Sequence, residues 1–393
     1  MAASRLTADL LFRAPVETVT VVTVAWSFCG ALGLLLATLG CERVGTAHTN
    51  EPAKPAPELE GGLTWLNSTP LHLAELRGRL VLLDFFEYSC VNCLRTLPYL
   101  KEWEQRYHDK GLVIIGVHTP QYGFSMDPLN VFAATKRLGL TYPIVVDSNS
   151  AIADAYQNRF WPRLFLIDRD GHICLDHTGE GGYAEVELKI QQLLRAHNPT
   201  QPLPRVMDAL HDVDRPGAVC YPITAELYLG QLRGVIGNPA TTTNHPASYR
   251  LPAQLATDQL YVQGEWDNAS EYLRHTRDTP EPEDCLVLRY RAVELNVVMK
   301  PEDIYWSQVF VQQDGHWLPR DIAGADILYD ATGHSYLKVD AARMYAVVAG
   351  QPYGAHELRL LVRGKGLSVY SFSFGTCLIP AGVDRLRARK ESS

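Results

Sequence analysis

Two cysteines separated by two residues, Cys90-Val91-Asn92-Cys93, follow almost directly on the apolar run Leu80-Val81-Leu82-Leu83-Asp84-Phe85-Phe86. That run reads as a core strand, while Leu94, Leu97, Leu100, Trp103 and Tyr107 recur at roughly helical spacing behind the pair. The motif therefore belongs where a strand turns into a helix. Unpaired N–H groups and the macrodipole at a helix N-terminus favour negative charge, which suits Cys90 to attack as a thiolate. Cys93, one helical turn further in, is placed to resolve a mixed disulfide. Other uses of such a pair need weighing. A zinc site would need a second cysteine pair or a nearby H-x3-5-H, and neither follows. A peroxidase would use a single reactive cysteine with Thr three positions earlier, where this chain has Glu87. A purely structural disulfide is the remaining bland alternative.

The chain has 393 residues, enough for two or three domains, and a formal net charge of -8 with a pI near 5.9. This balance argues against a nucleic-acid partner, the only basic cluster being a short tail at residues 385–390. Near the N-terminus, Thr18 to Gly40 is an uncharged, mostly apolar run of 23 residues preceded by Arg5 and Arg13. It is long enough to cross a bilayer core of about 30 Å. Ala37-Thr38-Leu39-Gly40-Cys41 resembles a lipobox, which makes Cys41 a lipidation candidate; an uncleaved signal anchor fits the same run. Either reading directs the bulk of the chain to an oxidising compartment. Cys29 inside the run reads as a small hydrophobe, and residues 42–62, with Pro52, Pro55 and Pro57, as a flexible tether.

Residues 63–198 alternate strand and helix signals, as an α/β domain with a central sheet does. Expected strands are 80–86, 112–118, 142–146 and 164–168, the last turning at Asp170-Gly171 into a hairpin partner at 172–175. Helices are expected at 129–138 and 184–196, and a short hairpin at 65–73. His118 ends a strand at the same sheet edge as the cysteines and is a candidate for contact with them, or for capping the following turn. Glu180, between Gly179 and Gly181, is a candidate to approach the site through a loop.

Leu83 to Cys93 resembles the active-site strand and helix start of thioredoxin-fold proteins, and Trp161-Pro162 resembles their cis-proline dipeptide. Cys93 to Leu100, Gly116-Val117-His118-Thr119-Pro120, Asn158 to Pro162 and Gly179-Glu180-Gly181 narrow the resemblance to the TlpA/DipZ-like group of periplasmic thiol-disulfide oxidoreductases. It extends over roughly 62–380. The resemblance implies that Pro162 is cis and shapes a groove offering strand-like hydrogen bonds to a client polypeptide, beside Trp161. It implies that Asp84 is a buried acid exchanging a proton with Cys93. It also implies a membrane electron donor of the DsbD or CcdA type and no cofactor. One position departs: the cytochrome-maturation branch usually has an acid three residues after the second cysteine, where this chain has Thr96. Pro98 is expected to kink the first helix.

Residues 199–244 are Pro-rich and read as a linker, part of which should pack on a neighbour. Residues 245–385 carry strand signals at 259–266, 285–299, 306–311, 336–339, 344–348, 357–362 and 367–374, as an all-β jelly-roll sandwich does. In DipZ-like proteins this domain is similar to carbohydrate-binding modules, which makes Tyr261, Trp266, Trp306, Trp317 and Tyr336 candidates for a glycan platform, although such aromatics more often fill a core. Cys174, Cys220, Cys285 and Cys377 allow three pairings, of which Cys285 with Cys377 is preferred because both fall at ends of expected strands.

The expectation is thus a membrane-tethered, periplasm-facing enzyme of the bacterial cell envelope that reduces or isomerises disulfides of exported proteins. The rival from another class is a cell-wall glycan-binding scaffold whose thioredoxin-like domain does no chemistry. A metal-handling thiol protein is a third.

Overall fold

The computed structural model describes residues 54–62, 64–279, 281–302 and 306–379. The apolar run at 18–40, Cys29, Cys41 and the basic tail lie outside them. Among the described residues no helix is long and apolar enough to cross a membrane.

Six strands form the first sheet: β1 (Thr64–Leu66), β2 (Leu80–Phe86), β3 (Leu112–His118), β4 (Ile144–Val146), β5 (Arg163–Ile167) and β6 (Ile173–Thr178). Their order is β1-β4-β3-β2-β5-β6, with β4, β3 and β2 parallel and the others antiparallel to their neighbours. With helices α1 (Val91–Tyr107), α2 (Pro128–Leu138), α3 (Ala151–Ala155) and α4 (Tyr183–His197), this is a thioredoxin-like α/β domain. β2 and β3 are buried at every position, as strands covered on both faces must be, which is why their sequences run apolar instead of alternating. Period-two geometry still sorts β2 into faces. Leu80, Leu82 and Phe86 pack with Cys93, Leu97 and Trp103 of α1, whereas Val81, Leu83 and Phe85 pack against Ile152 and Tyr156 on the other side. By the same parity Asp84 faces α1. Gly116 of β3 lies opposite it, where a Cβ would come within 2.9 Å of the Phe86 ring.

The expected hairpin at 65–73 does not form. β1 instead pairs antiparallel with β4 at the sheet edge, and Leu73–Leu76 is a single 3-10 turn. Trp65 and Leu66 are long-range edge residues, and no local turn signal marks their partner.

The second region is built from two antiparallel sheets around one core. Leu286, Leu288, Val309 and Leu360 from one sheet meet Val297, Met299, Val347 and Val369 from the other. The single strand expected over 285–299 is two, Asp284–Ala292 and Glu294–Lys300, which lie in different sheets. Strands 284–292, 294–300 and 307–313 thus alternate between sheets, the connectivity of a jelly roll. Gln259–Asn268 serves both sheets, pairing first with 284–292 and then, past Gly264, with Ala247–Tyr249 and Leu273–His275. Gly264 has φ 101°, and a Cβ there would collide with the Asp284 carboxyl, so this crossover needs glycine.

Linker residues are packed, as their length demands. Leu203 and Met207 pack on the thioredoxin-like core, and Leu227–Tyr228 adds to the sandwich strand Ser368–Gly375. The two regions also meet directly. Tyr370 of the sandwich packs edge-on to Tyr122 and Phe124, and the Tyr122 hydroxyl lies 2.8 Å from Ser371 Oγ.

Candidate active site

β2 ends at Phe86, the chain turns through Glu87-Tyr88-Ser89, and Cys90 is the N-cap of α1. The Cys93 backbone N–H donates to Cys90 Sγ at 3.4 Å, one of the four orphan donors of the helix start aimed at the sulfur. Cys90 is partly exposed and Cys93 buried, both as free cysteines. The Cys90 thiol is directed at the Trp161 carbonyl, 3.9 Å away, and the Trp161–Pro162 peptide bond is cis. Pro162 immediately precedes β5, the strand beside β2. The first cysteine is therefore presented at the surface against the Pro162 turn, with the second beneath it.

Burial sets the protonation of the layer below. The Cys93 thiol is pushed well above its ordinary range by desolvation, and by hydrogen bonding and repulsion from Cys90. Asp84 is completely buried, neither carboxyl oxygen has a hydrogen-bond partner, and desolvation raises its pKa to about 8. When ionised it acts on Cys93. With its pKa at about 8, the ionised form can take the proton of the nearby thiol and the protonated form can return it.

His118 lies completely buried at the end of β3, stacked on Tyr88 with ring centroids 5.3 Å apart. It does not cap the turn: both ring nitrogens lack hydrogen-bond partners, and burial lowers its pKa to about 3. Its Nε2 stands 3.9 Å from Glu87 Oε1, beyond hydrogen-bond reach. Glu180 is brought to the mouth of the site by pairing with Arg95 at 3.3 Å, and Arg95 also holds Glu294 of the sandwich at 2.8 Å. Val91, Asn92, Arg95 and Glu180 form one wall of a cleft of about 290 Å³, and Glu226, Phe374 and Cys377 line the facing side.

Glu87 is the site residue that sequence reasoning passed over. It is completely buried, its Oε2 accepts from the Ser89 N–H at 2.8 Å and from the Ser89 hydroxyl at 2.6 Å, and Oε1 has no partner. Burial, opposed by these hydrogen bonds, raises its pKa to about 7. The available signal was an acid directly after a core strand apolar at every position but Asp84, and three residues before the reactive cysteine.

The disulfide assignment is corrected. Cys377 is bonded to Cys220, not to Cys285, which is a buried free thiol. Val219–Cys220 and Cys377–Leu378 form a two-stranded ladder with the two cysteines directly opposite, so a linker residue supplies the partner. Cys285 faces Tyr261 and Val287 instead, and burial pushes its thiol up to about 11. The glycan platform is corrected in part: Trp266 and Tyr261 are sandwich-core residues, Trp317 and Tyr336 are half-buried, and Trp306 is exposed. Among the described residues no group of three or more His, Cys, Asp or Glu is arranged to hold a metal ion.

Two family models match in series, Redoxin over residues 51–187 and the thioredoxin-like C-terminal domain over 224–375. Protein DipZ of Mycobacterium tuberculosis is 33% identical over 329 residues, which is 83% of this chain and 43% of that protein. The thiol-disulfide oxidoreductase ResA of Geobacillus thermodenitrificans is 33% identical over 150 residues, 37% of this chain and 82% of the relative. The chain belongs to the TlpA/DipZ-like thiol-disulfide oxidoreductases. This family member carries a thioredoxin-like domain followed by a β-rich region, and spans less than half of the length of the DipZ relatives. A solved thioredoxin-like superfamily protein is 28% identical, with 39% of this chain and 100% of that one covered at a TM-score of 0.35.

Proposed function

We propose that this chain exchanges disulfides with exported proteins in the bacterial cell envelope, tethered to the membrane by its N-terminal segment. The observation that carries the reading is the layered site: a partly exposed Cys90 at a helix N-terminus, a buried Cys93 donating its N–H to it, and beneath them a buried Asp84 with no hydrogen-bond partner and a pKa raised to about 8. In the reducing direction, Cys90 as thiolate attacks a client disulfide, forming a mixed disulfide and releasing one client thiol. The ionised form of Asp84 takes the Cys93 proton, Cys93 attacks Cys90 Sγ, and the second client thiol leaves as the Cys90–Cys93 disulfide closes. Backbone beside Pro162 offers the client chain an edge to pair with, and Trp161 flanks it. The reduced pair is restored by a membrane thiol donor of the DsbD or CcdA kind. Reduction or isomerisation is favoured over oxidation because relatives of this type are usually supplied with electrons.

Cys93→Ser tests this directly. The variant should accumulate mixed disulfides with envelope proteins through Cys90, seen as adducts that dissolve on reduction and are absent from Cys90→Ser/Cys93→Ser. Failure of the single variant to trap any client by thiol-trapping in the envelope fraction removes the assignment. The glycan-binding scaffold has weaker support, because two of its five aromatics lie in the core.

A further inference from the structure

We propose that Glu87, with His118 facing it, is a second proton-holding position beneath the redox pair, protonated when Cys90 and Cys93 are reduced and ionised when they are joined. The inference rests on the redox reading above and concerns a residue that reading does not use.

The geometry is that of a buried pair left open. Glu87 and His118 are both completely buried, on the loop after β2 and at the end of the neighbouring β3. Oε2 of the carboxyl is satisfied by Ser89, whereas Oε1 is bare and faces a bare imidazole nitrogen 3.9 Å away. A buried polar atom without a partner costs stability, so two such atoms facing each other mark a place where a proton is taken up and given back. A proton on Oε1 would sit in the gap toward His118, whose neutral imidazole places no charge against it.

The same carboxyl is wired to the nucleophile. Ser89 and Cys90 backbone N–H groups and the Ser125 hydroxyl favour its ionised form, while burial opposes it. On its other sides stand Cys93 of α1, whose sulfur is held by the Glu87 backbone, and Tyr88, stacked on His118. Phe86 covers the second edge of His118 at 5.3 Å. Beyond Tyr88 lie Arg137 and Asp127 from the α2 region and Tyr370 from the sandwich, while Asp84 acts on Cys93 from within β2.

Negative charge appears at Cys90 when the disulfide opens, and a second negative charge on Glu87 in the same water-poor loop is then unfavourable. Glu87 therefore keeps a proton in the reduced protein and loses it more readily in the oxidised one. The step balances: a donor dithiol gives two electrons and two protons, and its sulfurs close to a disulfide. The Cys90–Cys93 bond breaks, one proton goes to Cys93, the second to Glu87 Oε1, and Cys90 is left as thiolate. By linkage, the redox equilibrium must then depend on pH through Glu87 as well as through the cysteines and Asp84.

Glu87→Gln retains an acceptor for Ser89 and cannot titrate. The redox equilibrium of the Cys90–Cys93 pair against glutathione is measured on the full chain from about pH 5.5 to about pH 8.5, a range bracketing the Glu87 titration. Variant and wild type should coincide at the acid end. At the alkaline end the variant should be about three- to tenfold easier to reduce, tenfold being about 30 mV for a two-electron couple. Coincidence at every pH, or an equal offset at every pH as a merely structural residue would produce, overturns the proposal. Infrared difference spectra of reduced minus oxidised protein, on an Asp84→Asn background, should show a protonated carboxyl band that Glu87→Gln lacks; absence of that band with a working redox pair also overturns it, even if the Gln variant folds poorly. A wild-type pair that never equilibrates with glutathione would instead remove the underlying redox assignment.

Discussion

Asp84 and Asp284 are both buried acids on β-strands, one in each half of the molecule, and they are treated in opposite ways. Asp284 accepts from His275 Nε2 at 2.9 Å, from Arg277 through Nε at 2.9 Å and through Nη2, and from the Glu265 N–H at 3.2 Å. Burial works against its charge, yet these partners hold it below the usual carboxylate range. Asp84 has no partner on either oxygen and is raised to about 8. In the sandwich, a buried charge fastens a corner where Gln259–Asn268 crosses between sheets. In the redox domain, an acid is left bare on the face of β2 that packs on Cys93, as the proposed proton transfer requires. The contrast separates a carboxyl held charged by its partners from one held neutral by burial: the first is saturated, the second is not.

The largest effect that would test this contrast is in the sandwich. Asp284→Ala strands Arg277 and a buried His275, and should lower unfolding free energy by about 3–5 kcal/mol. A urea midpoint that barely moves would mean the network is ornamental and the comparison is wrong. In the redox domain the sign should reverse. Asp84→Leu replaces a bare acid by an apolar side chain and should stabilise the protein by about 1–4 kcal/mol. Asp84→Asn should slow resolution of a mixed disulfide at Cys93 by about 100-fold, read by stopped-flow thiol release near neutral pH.

Stability against pH should separate the two acids further. Asp84 keeps its proton in the native state up to about pH 8, whereas the unfolded chain releases it near pH 4. Its contribution therefore falls as pH rises through that window, and Asp84→Leu should flatten the decline. Asp284 is depressed, so its contribution is present above about pH 4 and is lost as pH falls below it. Asp284→Ala should remove that acid-side loss, and denaturant melts across the pH range would show both. The smallest effect is expected at the seam. Arg95 joins Glu180 and Glu294 while remaining partly exposed, so Arg95→Ala should cost only about 0.5–1 kcal/mol. A much larger loss would show that the two halves depend on that seam for stability.

Much of the redox domain was legible because its signals are local. A seven-residue run apolar but for Asp84, a C-x-x-C pair and helical spacing behind it lie within 28 residues of one another, 80–107, and each reports its own element. The sandwich strands were legible as strands, but the single run expected over 285–299 hid a break at Val293. Periodicity marks burial and says nothing about which sheet a segment joins. Long-range partners escaped for the same reason. β1 pairs with β4 some eighty residues away, and Cys220 meets Cys377 across a separation of 157, so neither partner leaves a mark near the other.

Glu87 is the clearest case of what local pattern misses. An acid in a loop ordinarily faces water, and only the closure of α1, β3 and the 122–125 turn over it makes it a buried group. The sequence by itself determined the order of elements and the placement of two thiols at a strand-to-helix junction, because these follow from backbone geometry over a few residues; which face of β2 carries Asp84 was settled by packing. The tertiary structure decided which acids are bare and which are paired, which cysteine Cys377 meets and which aromatics are sealed in the core. Proton affinity depends on what surrounds a group in space, and those surroundings are assembled from residues far apart in the chain.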